Sequence, residues 1–202
     1  MSTERLTHKV FTWDKTKRGW CKDIKLLMAQ IDCSDCFDLD GTIDLIHART
    51  QLHSNYCDTW KTEVVNYPKL RTYITYKQEY CTELYVTLVN NRSHRSALAQ
   101  FRSGILPLSV ETGRFNNIPL EYRLCIFCDS NHLEDETHFL FHCSFYNNLR
   151  IELFTQATSM CLDFPNMSNT EKLYFLMSRD IVKQTAKYIF LAFSKRRLTL
   201  YR

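Results

Sequence analysis

Apolar residues recur three and four positions apart over much of the chain, the spacing that gathers them on one face of an α-helix. Trp20, Ile24, Leu27, Met28 and Ile31 form the first stripe, and Asp38, Asp40 and Gly41 interrupt it. A longer helix is predicted over 43–65, carried by Leu45, Leu52, Tyr56, Trp60 and Val64, with Asp40 or Thr42 as its cap. Pro68, tolerated in a first helical turn, opens a short helix with Leu70, Tyr73, Ile74 and Lys77. Asn90 or Asn91 caps a helix over 92–103 that buries Ala97, Leu98 and Phe101 and ends at Gly104. Residues 105–124 carry Pro107, Gly113 and Pro119 with little periodicity and read as loop or short extended segments. Helices over 144–154, 168–178 and 179–198 follow, the last with Val182, Ala186, Ile189, Phe190 and Phe193 on one face.

Composition supports a mainly α fold. Four glycines and four prolines in 202 residues are too few for turn-dense sandwiches, barrels or glycine-loop nucleotide folds. The 45% apolar and 13% aromatic fractions exclude a wholly disordered chain. No apolar run approaches the roughly 18 residues of a membrane span, and residues 1–9 lack the apolar core of a signal peptide, so a soluble intracellular protein of nucleus or cytoplasm is expected, with no membrane partner. Nine cysteines in that setting favour reduced thiols or a metal over a disulfide framework.

The chemistry concentrates in Cys125, Cys128, His138 and Cys143, spaced C-x2-C-x9-H-x4-C. The first pair suits a tight knuckle that bites one cation, and soft thiolates with an imidazole select zinc. Four protein ligands complete a tetrahedron and leave no position for water, so the ion is structural. His138 is preferred as third ligand over His132 and over His142, because adjacent residues seldom turn both donors onto one ion. Cys33 and Cys36, with His47, His53 and Cys57 downstream, form a weaker second candidate.

Arg92, Arg95, Arg102, Arg114 and Arg123 lie just upstream of the cysteines, opposed only by Glu111 and Glu121. On a 92–103 helix Arg92, Arg95 and Arg102 share a face that can neutralise phosphates, and the formal charge of +4 permits an anionic partner. Phe127, Phe139 and Phe145 serve either base stacking or core packing. Lys195, Arg196 and Arg197 read as a helix C-terminus, and Glu134, Asp135 and Glu136 as a solvated or helix-starting run. No nucleophile elbow, P-loop or H-E-x-x-H motif occurs.

Three pieces then carry a family resemblance: NNRSHRSALAQFRSG at 90–104, ETGRFNNIPLEYRLC at 111–125, and EDETHFLFHCSFYNNLR at 134–150. From about residue 20 to 154 the chain resembles the zinc-binding C-terminal region of non-LTR (LINE-type) retrotransposon reverse transcriptases. The resemblance implies a module that grips template RNA or target DNA, with Cys125, Cys128, His138 and Cys143 as ligands, and an association with a reverse transcriptase polyprotein. The family's endonuclease and polymerase regions have no counterpart here, and no Asp-Asp pair exists to seat catalytic magnesium. The expectation is a non-enzymatic, weakly sequence-specific nucleic-acid binder with one structural zinc; the alternative is a zinc-stabilised protein-interaction module. Its expected parts are an arm at 1–19 that is polar and loosely ordered, a helical region at 20–104, the zinc module at 105–158 and a helical hairpin at 159–202.

Overall fold

The computed structural model describes residues 6–15, 17, 19–34, 44–70, 73–77 and 79–200, and among them the fold is mainly α with no strand. The chain divides into two compact units, 1–62 and 63–202, each described by itself.

In the first unit, helix α1 (Leu6–Asp14) touches α2 (Trp20–Ala29), and Cys21 and Met28 of α2 form a small buried cluster with Ile24 and Cys33 alongside. The arm expected at 1–19 is therefore helical over α1. Asp14 is buried and ties the two helices, its carboxylate accepting from the Cys21 backbone N–H at 2.9 Å. Helix α3 (Leu45–Asn66), whose last turn runs past residue 62, begins where Asp44 Oδ1 accepts from Ile46 N and His47 N, at 2.9 and 3.1 Å. The predicted caps Asp40 and Thr42 lie outside the described residues. Of the predicted α3 stripe, Val64 is buried whereas Leu45 and Tyr56 are exposed.

In the second unit, the short helices α4 (Tyr73–Tyr76) and α5 (Leu84–Leu88) precede α6 (Arg92–Arg102), which lies against the C-terminal helix. Asn91 caps α6, accepting from His94 N at 3.0 Å, and Gly104 stops it at φ 63°, a left-handed conformation that costs glycine nothing. Next come α7 (Ser109–Phe115), α8 (Asn147–Met160), α9 (Asn169–Leu176) and α10 (Val182–Leu200). A reciprocal box starts α9: Glu171 accepts from Ser168 N at 2.8 Å while Ser168 Oγ accepts from Glu171 N.

Residues 109–115, expected as loop, form α7 because a distant carboxylate caps it. Its N-cap, Leu108, has no side chain to offer, and Glu134 Oε2 instead accepts from Ser109 N at 2.8 Å and Ser109 Oγ at 2.6 Å. Gly113 then leaves room for Arg123, since a Cβ there would lie 2.6 Å from Arg123 Cγ.

One core joins these helices, with Leu98, Phe101, Leu106, Leu108, Phe139, Leu140, Tyr146, Leu153, Phe164, Leu176, Ile181 and Ile189 all essentially inaccessible. It includes Cys125 and Cys143, so the cysteine-rich segment shares the core of residues 89–101 and 153–192.

Candidate metal centre

The cysteine segment is held by one antiparallel bridge, Leu124 to Leu133, with Cys125 N donating to His132 O at 2.9 Å and Glu134 N to Arg123 O at 3.0 Å. Between these rungs the chain turns through Asn131 at φ 54°. Cys125 and Cys128 thereby sit on one side of a tight knuckle. The Phe127 backbone N–H donates to Cys125 Sγ, and the Phe145 N–H makes the same i+2 bond to Cys143 Sγ. Such bonds stabilise charge on sulfur.

The second half of the site is a π-helical turn, His138–His142. Asp135 Oδ1 accepts from His138 N at 2.7 Å, and Cys143 N closes the turn onto His138 O at 2.8 Å, an i→i+5 bond. That wider turn is how a four-residue gap brings His138 and Cys143 to one point. Arg150 holds its end: Nε donates to Leu140 O at 2.9 Å and Nη2 to Cys143 O at 2.8 Å. These carbonyls are the unpaired acceptors of a helix end, where a cation also suits the dipole.

The four ligand atoms all lie within 4.8 Å of one another. Zinc with sulfur at about 2.3 Å and nitrogen at about 2.0–2.1 Å sets tetrahedral S···S edges of about 3.8 Å and S···N edges of about 3.5 Å. Cys125 Sγ and Cys143 Sγ are 3.7 Å apart, and Cys128 Sγ is 3.3 Å from His138 Nε2. The cluster can hold a metal ion. Cys125, His138 and Cys143 are buried and Cys128 half-buried, with Ser130 Oγ 3.1 Å from the Cys128 sulfur.

Electrostatics favour binding. The hydrogen bond between Cys125 and Cys143, with burial, pushes the Cys125 thiol up, and the same bond brings Cys143 down. A divalent cation bound by these sulfurs would displace the thiol protons. Burial lowers His138, keeping its imidazole neutral, the form that ligates. His142 turns away to Asn169 at 3.0 Å, and His132 stacks on His138 with centroids 6.1 Å apart and planes at 7°. In the weaker candidate Cys36 lies outside the described residues; His53 and Cys57 approach to 3.5 Å, and no second cluster forms among the described residues.

The acidic run departs from expectation. Glu134 is 1% and Glu136 3% exposed, and only Asp135 starts a helical turn. Besides capping α7, Glu134 pairs through Oε1 with Arg196, whose Nη2 donates to Pro107 O at 3.1 Å and whose guanidinium lies 4.4 Å from the Phe127 ring. Glu134 Oε1 also faces Cys125 Sγ at 3.9 Å. One carboxylate thus joins the knuckle, α7 and α10. Arg196, expected to serve the helix C-terminus, is 3% exposed. Lys195 donates to Phe145 O at 2.6 Å and lies 4.2 Å over its ring.

The five upstream arginines are dispersed. Arg92 is exposed; Arg95 is half-buried, donating to Val89 O at 2.9 Å. Arg114 pairs with Glu111 at 2.8 Å, and Arg123 donates to Ile118 O and Val110 O, each at 2.8 Å. Arg102 leaves the expected row: at 5% exposure it pairs with Glu83 and lies 5.0 Å from the Tyr85 ring. Phe139 is wholly buried, while the Phe127 and Phe145 rings meet at a 36° tilt with centroids 4.9 Å apart, beneath Arg196 and Lys195. No helix among the described residues is long and apolar enough to cross a membrane. Comparison with protein-family models, curated proteins and solved structures finds no match for this chain.

Proposed function

We propose that this chain is a non-catalytic, zinc-stapled helical module that binds nucleic acid. The observation that carries the reading is the convergence of three sulfurs and one imidazole nitrogen within 4.8 Å on a buried, carbonyl-capped scaffold. Soft donors of this kind favour zinc over hard cations, and four protein ligands leave no vacancy for an activated water. Metal binding contributes its free energy directly to folding. The resemblance of residues 90–150 to the zinc-binding region of LINE-type reverse transcriptases supports RNA or DNA as the partner, within or beside a reverse transcriptase polyprotein, and free thiols among the described cysteines fit an intracellular setting. Arg92, Arg95 and Arg114 are the expected phosphate contacts; Arg102 and Arg123 hold the fold that presents them.

Binding of single-stranded RNA and of duplex DNA across a salt series tests this reading. Three phosphate contacts give a slope of log K against log salt of about −2 to −3. Replacing Arg92 and Arg95 together by Glu should lower affinity at least about tenfold at low salt while leaving the fold intact. Salt-independent retention, or retention unchanged by the double reversal, would retire it. A second reading, a zinc-stabilised module for a protein partner, is favoured by a cleft of about 760 Å³ lined by Ile151, Phe154, Leu162 and Phe164, with Ile151 and Leu162 largely exposed.

A further inference from the structure

The cleft of about 760 Å³ beside α8 has both a shape and a sign. One wall is α8 itself, where positions 147, 150, 151, 154, 155 and 158 fall on one helical face along about 16 Å. The facing wall is the 159–165 turn with Lys172 of α9. Phe154 and the buried Phe164 meet edge to face with centroids 5.3 Å apart, and Ile151 and Leu162 are 63% and 86% exposed. No Asp or Glu lines the cleft, whereas Arg150 and Lys172 do. Arg150 spends its bonds on neutral acceptors, Asn147 Oδ1 at 2.7 Å and the carbonyls of the metal turn. Lys172 Nζ donates to Pro165 O at 2.9 Å and lies 5.8 Å from the Phe164 ring, which leaves two of its three N–H donors without a protein acceptor among the described residues. The carboxylates of the flanking sequence are engaged elsewhere: Glu152 with Lys187 at 2.8 Å, Glu171 with Ser168 at 2.7 Å and Asp163 with Asn166 at 3.1 Å.

An apolar groove edged with positive charge is complemented by an apolar stripe that carries a carboxylate. The walls are helix and turn, with no strand edge among the described residues, so an occupant must satisfy its own backbone hydrogen bonds, as a helix does. Apolar residues at i, i+4 and i+7 of such a helix span about 10 Å, within the length of the α8 face. We infer, resting on the reading of this cleft as a protein site, that it docks an amphipathic α-helix of a partner protein. Apolar residues of that helix pack on Ile151, Phe154 and Leu162, and a Glu or Asp beside them pairs with Lys172.

A phage library of random peptides is panned on the zinc-loaded full chain and depleted on the Leu162→Glu variant, or on Ile151→Glu should the first not fold. Enriched sequences should carry apolar residues at helical spacing with an acidic residue beside them. The most enriched peptide, synthesised and labelled, should gain helical circular dichroism on binding. Its affinity by fluorescence anisotropy should fall at least about tenfold with Leu162→Glu and at least about threefold with Lys172→Glu. Peptides that need Leu162 but bind Lys172→Glu as tightly as wild type, or bind without helix formation, overturn the acidic helix and leave the protein reading of the cleft standing. Failure to enrich any peptide that depends on Leu162 or Ile151 overturns both. Sedimentation of the chain without peptide should show a monomer; a dimer that Leu162→Glu dissolves would seat a second copy in the groove and overturn the inference.

Discussion

Replacing Arg196 by Met removes a guanidinium that bonds Glu134 and Pro107 O and covers Phe127. Methionine keeps much of the aliphatic volume on α10, so the main loss is charge pairing. Glu134, at 1% exposure, would retain only its two bonds from Ser109 and the contact with Cys125 Sγ. Removing one partner of a buried pair costs about 3–5 kcal/mol, mostly the penalty of leaving the other charge unpaired. For a unit of this size 1 kcal/mol shifts the melting midpoint by roughly 2–4 °C, so a fall of roughly 6–20 °C is expected. The double variant Glu134→Gln, Arg196→Met should recover about half or more, since a neutral amide still accepts from Ser109 without an unpaired charge. Urea and thermal unfolding of the four proteins in the zinc-loaded state measure the cycle. A loss below about 1 kcal/mol for Arg196→Met, or losses that simply add, would refute the reasoning that this pair fastens the C-terminal helix to the knuckle.

At the ligands, Cys143→Ser and Cys128→Ser should each abolish stoichiometric zinc in metal analysis, whereas Cys33→Ser keeps it; the opposite pattern would place the metal on the N-terminal pair. Gly113→Ala puts a Cβ against Arg123 and should cost about 1–3 kcal/mol in urea unfolding, with no loss of zinc at neutral pH. Burial raises Tyr188 to about 12, where its hydroxyl donates to Phe139 O. A folded value above the unfolded one near 10 means that this contribution is whole below pH 10 and is lost as pH rises towards 12. Stability should fall there by about 2 kcal/mol, and Tyr188→Phe should flatten that limb; an unchanged slope in the Phe variant would contradict the assignment.

What could be read from sequence was mostly local. The cap at Asn91, the stop at Gly104, the buried Leu98 and Phe101, and the ligand spacing each depend on residues within about one to five helical turns. The choice of His138 over His142 was legible too, because adjacent residues diverge in direction. The long-range polar pairs were not. Glu134 and Arg196 lie 62 positions apart, and a carboxylate in an acidic run resembles a solvated face until its partner is known. A signal was nevertheless present in helical phase. Arg196 follows Ala192 by four and Ile189 by seven, and Arg102 follows Leu98 by four, so both arginines fall on the apolar side of their helices. Charge alone assigns them to a helix C-terminus and to phosphate. Helix α7 was hidden for the same reason, since its capping group comes from outside the segment.

X-ray absorption at the zinc edge, on the purified full chain loaded with one equivalent of zinc, addresses the metal centre itself. Three sulfurs at about 2.3 Å and one nitrogen at about 2.0–2.1 Å are expected, with no exchangeable oxygen in the shell. A shell dominated by oxygen and nitrogen, or failure to retain one zinc per chain through gel filtration, would contradict the account.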